Sequence, residues 1–316
     1  MIEETQQGAS WERSVIEKAL LAQVKEQASQ RRWRIFFRIL VLCLIVFMAG
    51  MAFKNTKPKP ILKEHVALLD LDGVVGDRSG IMADEVATGL RQAFESDKVR
   101  GIILRINSPG GSPVQSAYIY DEVRRLRTLY PDTKVYAVIT DMGASGGYFI
   151  AASADHIYAN ASSIVGSIGV VMMNLGFVDA AQKLGVEQRS MSAGRNKVFL
   201  DPLSPQNESQ IEFAQSLLDN VHTHFIKAVR DGRGERLKET KDMFSGLFWT
   251  GDQALALGLV DGLGSAGYVA REVIGVEEII DYTVSNNFLD KLASRFGTSI
   301  GQSFKAELGL GQQKLQ

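Results

Sequence analysis

The chain has 316 residues, 45% of them hydrophobic, and a formal net charge of −1, so it can hold one large domain or two small ones. Residues 1–59 carry a net charge of +5 and the remainder −6, and this distribution argues against nucleic acid as the main partner. Cys43 is the single cysteine, which excludes an intrachain disulfide and disfavours a thiolate metal site.

The front of the chain carries a membrane-anchor pattern. Residues 1–34 are polar, with helical spacing of apolar residues from about Ser10, and residues 35–53 form an apolar run of 19 residues that is long enough to cross a bilayer. Four arginines precede the run, and they predict that the amino end stays in the cytoplasm and that the body lies outside it: Arg31, Arg32, Arg34 and Arg38. The lysines in the predicted linker, residues 54–63, weaken this bias. A cleaved signal peptide is the alternative, but the long preceding segment favours an uncleaved anchor.

Residues 64–285 alternate between strand and helix patterns. Strands are predicted over residues 65–71, 99–107, 135–140, 156–159 and 165–172, and helices over 83–96, 114–129, 205–230, 253–257 and 269–274. This alternation predicts an α/β domain in which helices cover a parallel sheet, preceded by the single transmembrane helix. Residues 286–316 form a polar tail with a helical pattern.

Ser145 lies at a break between a predicted strand and a predicted helix. The apolar strand over 135–140 is followed by Gly143, and a helical pattern resumes at Tyr148. A serine on such a turn presents its hydroxyl at the carboxyl end of a strand, beside the unpaired N–H groups of a helix N-terminus. Ser145 is therefore a candidate nucleophile, and a purely structural glycine-rich turn is the alternative.

A second glycine-rich loop, residues 107–112, follows the preceding strand. Adjacent parallel strands deliver such loops to the same edge of a sheet, so this loop is expected beside Ser145. Gly110 and Gly111 can adopt dihedral angles that direct a backbone N–H into the space beyond the strand. Together with the N–H of Gly146, one such group would make a two-donor oxyanion hole.

The general base is less evident from the residues. The four histidines, His65, His156, His222 and His224, fall on predicted strands or helices, and none is obviously placed beside Ser145. Lys197 lies in a loop close to Arg195, and a lysine can act as a base only in its neutral form, which burial or a nearby cation favours. A solvated surface lysine is the ordinary alternative.

Five motifs together resemble the signal peptide peptidase A family. They are Asn-Ser-Pro-Gly-Gly-Ser from residue 107, Gly-Ala-Ser-Gly-Gly-Tyr from 143, Gly-Ser-Ile-Gly-Val from 166, Gly-Arg-Asn-Lys from 194 and Trp-Thr-Gly-Asp-Gln-Ala from 249. These serine–lysine peptidases have a fold similar to Clp protease and the crotonases. The resemblance implies Ser145 as nucleophile, Lys197 as general base and Ser167 as the residue that orients the lysine.

The same resemblance implies a membrane-anchored endopeptidase that cleaves signal peptide remnants and other unfolded apolar peptides. It implies no metal, cofactor or nucleic acid, and it implies a homo-oligomeric ring in which each subunit completes its neighbour's site. A crotonase-like acyl-CoA enzyme would share the sheet without needing a serine–lysine pair. A catalytically silent peptide-binding membrane scaffold is the other alternative, and a Clp-type serine–histidine pair is disfavoured by the short spacing between Ser145 and His156.

Overall fold

The computed structural model of the protein describes residues 30–44, 46–47 and 63–284. The chain divides into two units, and the described part of the first is one exposed helix, α1, over residues 30–44 and 46–47. Within the described ranges, no helix combines the length and the apolar character needed to cross a bilayer. The predicted anchor, residues 35–53, lies partly outside these ranges and stays a prediction. The amphipathic helix from Ser10, nearly all of the linker and the tail also lie outside them.

The second unit is built from strands and helices that alternate along the chain. The strands are β1 (His65–Asp72), β2 (Val99–Ser108), β3 (Val135–Ala144), β4 (His156–Ala159), β5 (Ile164–Gly166), β6 (Phe248–Thr250), β7 (Gly262–Leu263) and β8 (Ile279–Asp281). The helices are α2 (Ala83–Phe94), α3 (Pro113–Leu129), α4 (Gly146–Ala151), α5 (Val178–Lys183), α6 (Glu208–Arg233), α7 (Gly251–Ala256) and α8 (Ala266–Tyr268). A 3₁₀ turn at Gly234–Arg236 and a π-helical turn at Val269–Ile274 complete the unit.

The strands form one sheet in the order β6–β5–β3–β2–β1–β8, and every pair is parallel except β5–β6. Strand β3 pairs with β2 on one side. On its other side it pairs first with β4 and then, at its carboxyl end, with β5, where Ala144 lies opposite Gly166. Helices connect the parallel strands, as such crossovers require. The predicted α/β fold with a parallel sheet and covering helices is thereby confirmed.

Both faces of the central strands are covered, which explains their nearly continuous apolar sequences. Side chains alternate across a strand, so in β2 Ile102, Leu104 and Ile106 pack into the large core beneath the helices. Ile103 lies in a smaller core on the opposite face, with Val66 and Leu68 of β1. Each buried side chain of this size contributes roughly 1.5–3 kcal/mol to folding. These central strands therefore form the rigid part of the scaffold that carries the site.

The strand predicted over residues 165–172 is wrong beyond Gly166. Gly166 and Ser167 have φ angles of 110° and 52°, and two successive residues with positive φ cannot continue an extended strand. The chain therefore leaves the sheet at this point, and its next residues form irregular structure. The short strands β6 and β8 were not predicted, because three residues give no measurable alternation.

Candidate active site

Ser145 forms the turn between β3 and α4, in a backbone conformation that is rare for residues other than glycine. Its φ and ψ are 50° and −122°, and its N–H donates to the carbonyl of Gly166 over 2.8 Å. Helix α4 is fixed below it, because the hydroxyl of the fully buried Tyr148 donates to the carbonyl of Leu259 over 2.7 Å. Burial raises the pKa of Tyr148, so this hydroxyl remains a donor at physiological pH. Such a strained turn persists only where the surrounding contacts hold it.

The glycine-rich loop after β2 lies against Ser145, as the adjacency of the two strands predicts. The φ angles of Gly110 and Gly111 are 107° and 146°. A Cβ on Gly110 would lie 2.6 Å from the Cβ of Ser145 and 2.8 Å from the nitrogen of Gly146. A Cβ on Gly146 would lie 3.3 Å from the nitrogen of Gly111. Only residues without side chains allow this approach.

The backbone donors of this loop are not equivalent. The N–H of Gly110 donates to the hydroxyl of Ser108 over 3.2 Å, which leaves it less available to a ligand. The N–H groups of Gly111 and Gly146 have no hydrogen-bond partner in the described part of the chain. These two donors are close to each other and to Ser145, so they can bind an oxyanion that develops beside the serine.

A cavity of about 390 Å³ opens beside Ser145. Its polar lining includes Ser145, Ser167, Gly111 and Gly146. Its wall is largely apolar, and the side chains that form this wall are those of Pro113, Phe149, Val170, Val171, Val221 and Phe225. No ionisable side chain is among the described residues that line it. The cavity can therefore accept an apolar side chain, but it does not itself contain a general base.

Lys197 does not line this cavity. Its side chain is exposed, and no hydrogen bond joins it to Ser145 or Ser167 within residues 63–284. The loop that carries it is attached to the start of α6, where Gln210 donates to the carbonyl of Val198 over 3.4 Å. Val221, which lines the cavity, lies eleven residues further along α6, about 16 Å at the rise of an α-helix.

Three of the histidines are placed where they cannot act as the general base for Ser145. His65 is buried at the start of β1, where it contacts the hydroxyl of Tyr282 at 2.9 Å. His156 pairs with Tyr136 at the start of β3, nine residues and about 25–30 Å before Ser145. His224 is exposed on α6. The structure therefore gives no support to a pair between Ser145 and His156.

His222 was not recognised as a site residue from the sequence. Its Nε2 lies 3.1 Å from the carbonyl oxygen of Ile168, directly after Ser167. The residues around a histidine in an amphipathic helix pattern do not indicate that it contacts a distant loop. The contact joins residues that are 54 positions apart, and only the tertiary structure brings them together.

Comparison with known proteins identifies the family. Residues 74–165 match the family model of Clp protease, and residues 129–275 match that of peptidase family S49. A predicted protease of Methanocaldococcus jannaschii is 30% identical over 227 residues, which cover 70% of this chain and 72% of the relative. The chain belongs to peptidase family S49. The resemblance to the signal peptide peptidase A family is thereby confirmed, and the S49 match spans Ser145, Ser167 and Lys197.

Further relatives differ in how much of their length this chain covers. A predicted signal peptide peptidase SppA of Enterococcus faecium is 29% identical over 229 residues, covering 70% of this chain and 66% of the relative. A protein named Na(+)/H(+) antiporter NhaA in Brucella abortus is 42% identical over 216 residues, covering 68% of this chain. This chain spans only 29% of the length of that Brucella protein.

Proposed function

We propose that this protein is a membrane-anchored serine endopeptidase in which Ser145 is the nucleophile and Lys197 the general base. One observation carries the proposal. Ser145 sits on a strained turn beside a cavity, and the free N–H groups of Gly111 and Gly146 lie next to it. This arrangement supplies a nucleophile, an oxyanion hole and room for a side chain, which peptide hydrolysis requires together.

In the proposed reaction, the Ser145 hydroxyl attacks the carbonyl carbon of a peptide while Lys197 accepts its proton. The N–H groups of Gly111 and Gly146 bind the resulting oxyanion. The protonated lysine then gives its proton to the departing amine, and an acyl-enzyme remains on Ser145. Lys197 next deprotonates a water molecule, which attacks the ester. The protonated lysine then returns its proton to the Ser145 oxygen as the acid leaves. The hydroxyl of Ser167 orients the lysine amine in both steps, and none of them calls for a metal or an organic cofactor.

We propose that Lys197 acts on the Ser145 of a neighbouring copy in a homo-oligomeric ring. The exposed side chain of Lys197, which makes no hydrogen bond to Ser145 or Ser167 among the described residues, supports an intermolecular site. So does the number of exposed apolar side chains in residues 171–191, among which Met173 and Met191 are 89% and 98% exposed in the single chain. Many exposed apolar residues in one segment are typical of protein–protein contacts. An uncharged, largely apolar cavity also favours the neutral form of an amine that enters it.

The apolar wall of the cavity supports unfolded, apolar peptides as substrates. Phe149, Val170 and Phe225 offer contacts to an apolar side chain, and no charged side chain is among the described residues that line the cavity. We propose signal peptide remnants as the physiological class. Such peptides are apolar and remain in the membrane, so the proposed anchor would hold the enzyme close to them.

A serine-directed fluorophosphonate probe tests the nucleophile. The full-length protein in detergent should be labelled, and Ser145→Ala should abolish the labelling. Ser162→Ala is the matched control, because Ser162 lies exposed on a turn outside the cavity and should leave labelling unchanged. Labelling that persists in Ser145→Ala would assign the nucleophile to another residue. A wild-type protein that neither reacts nor cleaves peptides would favour the catalytically silent scaffold.

Mixing two inactive variants tests the intermolecular lysine. Ser145→Ala retains Lys197, and Lys197→Ala retains Ser145. When the two are dissociated, mixed in equal amounts and reassembled, about a quarter of wild-type activity should return, because one site in four joins a competent serine to a competent lysine. If the mixture stays inactive while reassembled wild type is active, the lysine acts within its own chain.

A further inference from the structure

The segment Gly166–Gly169 carries Ser167 into the cavity, and three hydrogen bonds hold its backbone in addition to the sheet pairing of Gly166. The carbonyl of Gly166 accepts from the N–H of Ser145 over 2.8 Å, and the N–H of Ser167 donates to the carbonyl of Leu247 over 2.7 Å. The third contact is made by a side chain, with Nε2 of His222 3.1 Å from the carbonyl oxygen of Ile168. Among the described residues, His222 is the only side chain that forms a hydrogen bond with this segment.

The direction of the His222 contact is fixed by chemistry. A carbonyl oxygen can only accept, so Nε2 of His222 must carry the proton and donate it. Ile168 itself is fully buried, and its side chain packs in the large core. Its carbonyl therefore has little access to water, and loss of the donor would leave a nearly buried acceptor unpaired.

The same contact joins two walls of the cavity. Val221 precedes His222 on α6, Phe225 follows one turn later, and both side chains line the cavity. Ser167 and Gly169 line it from the opposite element. His222 thus connects the helix that forms the apolar wall to the residue proposed to orient the lysine.

We propose that His222 is a positioning residue for catalysis, which holds the Ile168 carbonyl so that the Ser167 hydroxyl faces the reacting groups. Ser167 has a φ angle of 52°, a conformation that a non-glycine residue keeps only under several constraints. Without the His222 bond, the peptide group between Ile168 and Gly169 can rotate, and the serine loses one constraint on its orientation. The inference rests on the proposed function, because it assigns His222 a role only through Ser167.

Two substitutions of equal length test the donor. His222→Gln places an amide N–H at nearly the reach of Nε2, whereas His222→Met fills the same space without a donor. The second-order rate of Ser145 labelling by the fluorophosphonate probe should fall about tenfold or more in His222→Met and stay within about threefold of wild type in His222→Gln. His224→Ala, on the exposed side of the same helix, should leave the rate unchanged.

A double-mutant cycle separates positioning from a general effect on the fold. If His222 acts through Ser167, adding His222→Met to Ser167→Ala should slow labelling by less than about twofold further. If the fold-reductions in labelling rate of the two single variants multiply in the double variant, the inference is overturned. A wild-type labelling rate in His222→Met would also overturn it. Thermal unfolding of each variant identifies any loss of the fold. If His222→Met does not fold, His222→Asn takes its place, because its shorter amide cannot reach the Ile168 carbonyl; it should then be slowed relative to His222→Gln, and equal rates would overturn the inference. Failure of the His222 inference can be distinguished from failure of the proposed function, because the Ser145→Ala control tests the nucleophile alone.

Discussion

At the scale of single residues, the site is marked by unusual backbone conformations. Three residues other than glycine have positive φ in the described ranges, and two of them, Ser145 and Ser167, line the cavity. Each such conformation costs on the order of 1–3 kcal/mol, which the surrounding hydrogen bonds must offset. The strain places both hydroxyls where an unstrained strand or helix could not, and this is the arrangement the proposed chemistry uses.

The close approach at Gly110 can be tested by adding one methyl group. In Gly110→Ala the new Cβ would overlap Ser145 and approach the nitrogen of Gly146, so activity and probe labelling should both be lost. Gly275→Ala is the matched control, because Gly275 also has a positive φ of 81° but no atom within 4 Å of the added Cβ. It should lower stability by about 1–2 kcal/mol and leave activity unchanged. Equal activities in the two variants would contradict the proposed site.

The lysine can be tested by removing its amine and by replacing it with a cation that cannot act as a base. Lys197→Ala should abolish peptidase activity, and Lys197→Arg should do the same, because a guanidinium stays protonated and cannot act as a base. Thermal stability and oligomer size should remain those of wild type, since the Lys197 side chain is exposed in the single chain. Peptide cleavage and size-exclusion chromatography measure the two properties. Full activity in the purified Lys197→Ala protein would remove Lys197 from the mechanism.

At the scale of elements, one ion pair fixes the carboxyl end of α6, the helix that forms the cavity wall. The guanidinium of Arg233 is fully buried and donates to both oxygens of Asp261 over 2.7 and 2.8 Å. Asp261 also accepts from the N–H of Ile157 over 2.7 Å, which connects α6 to β4. Two residues before Asp261, the carbonyl of Leu259 accepts a hydrogen bond from the hydroxyl of Tyr148, which lies below Ser145. The segment 258–261 therefore anchors both helices that border the site.

Removal of one partner from this pair should destabilise the fold strongly. Arg233→Met leaves the largely buried Asp261 carboxylate with only Arg236 at 3.2 Å and the N–H of Ile157 as partners, and we expect a loss of about 3 kcal/mol in the free energy of unfolding by urea. Lys227→Met is the matched control on the same helix, where the exposed pair with Asp231 should contribute only about 0.3–0.5 kcal/mol. Similar losses in both variants would show that burial does not decide the strength of the pair.

The same pair predicts a pH dependence of stability. Burial alone would raise the pKa of Asp261, but the hydrogen bonds and charge of Arg233 outweigh it and hold the pKa below its ordinary value of 3.8. A lowered folded pKa means that the stabilisation is fully present above about pH 4 and is lost as the pH falls through the folded value. The difference in unfolding free energy between wild type and Arg233→Met should therefore narrow below pH 4. A difference that grows on acidification would contradict this assignment.

At the scale of the whole molecule, the sequence predicted most of what depends on local pattern. The three long strands were recovered because runs of eight to ten residues show burial clearly, and the meeting of Ser145 with Gly110, Gly111 and Gly146 followed from the adjacency of β2 and β3. The exit of the chain from the sheet at Ser167 was missed, since apolar residues continue beyond it. His222 was missed because its partner is remote in sequence. The role of Lys197 rests on the family resemblance, because the single chain does not bring it to Ser145.

The charges that flank residues 35–53 predict how the chain is oriented in a membrane. The four arginines before residues 35–53 should keep the amino end inside, so residues 64–285 should lie outside the cytoplasm, where signal peptide remnants are accessible. Protease added to intact bacterial spheroplasts should digest or trim the body and protect an amino-terminal fragment that ends near Phe53. The lysines after the run oppose this orientation, since they reduce the charge difference that sets it.

Replacing the flanking charges tests whether they determine the orientation. Replacement of Lys54, Lys57 and Lys59 by serine should preserve the protected fragment, because it increases the charge difference. Replacement of the four arginines by glutamate should expose the amino end in part of the molecules. Protection of the body in intact spheroplasts, with digestion only after lysis, would place the peptidase domain in the cytoplasm. In that location the enzyme could not reach signal peptide remnants from the outer side of the membrane.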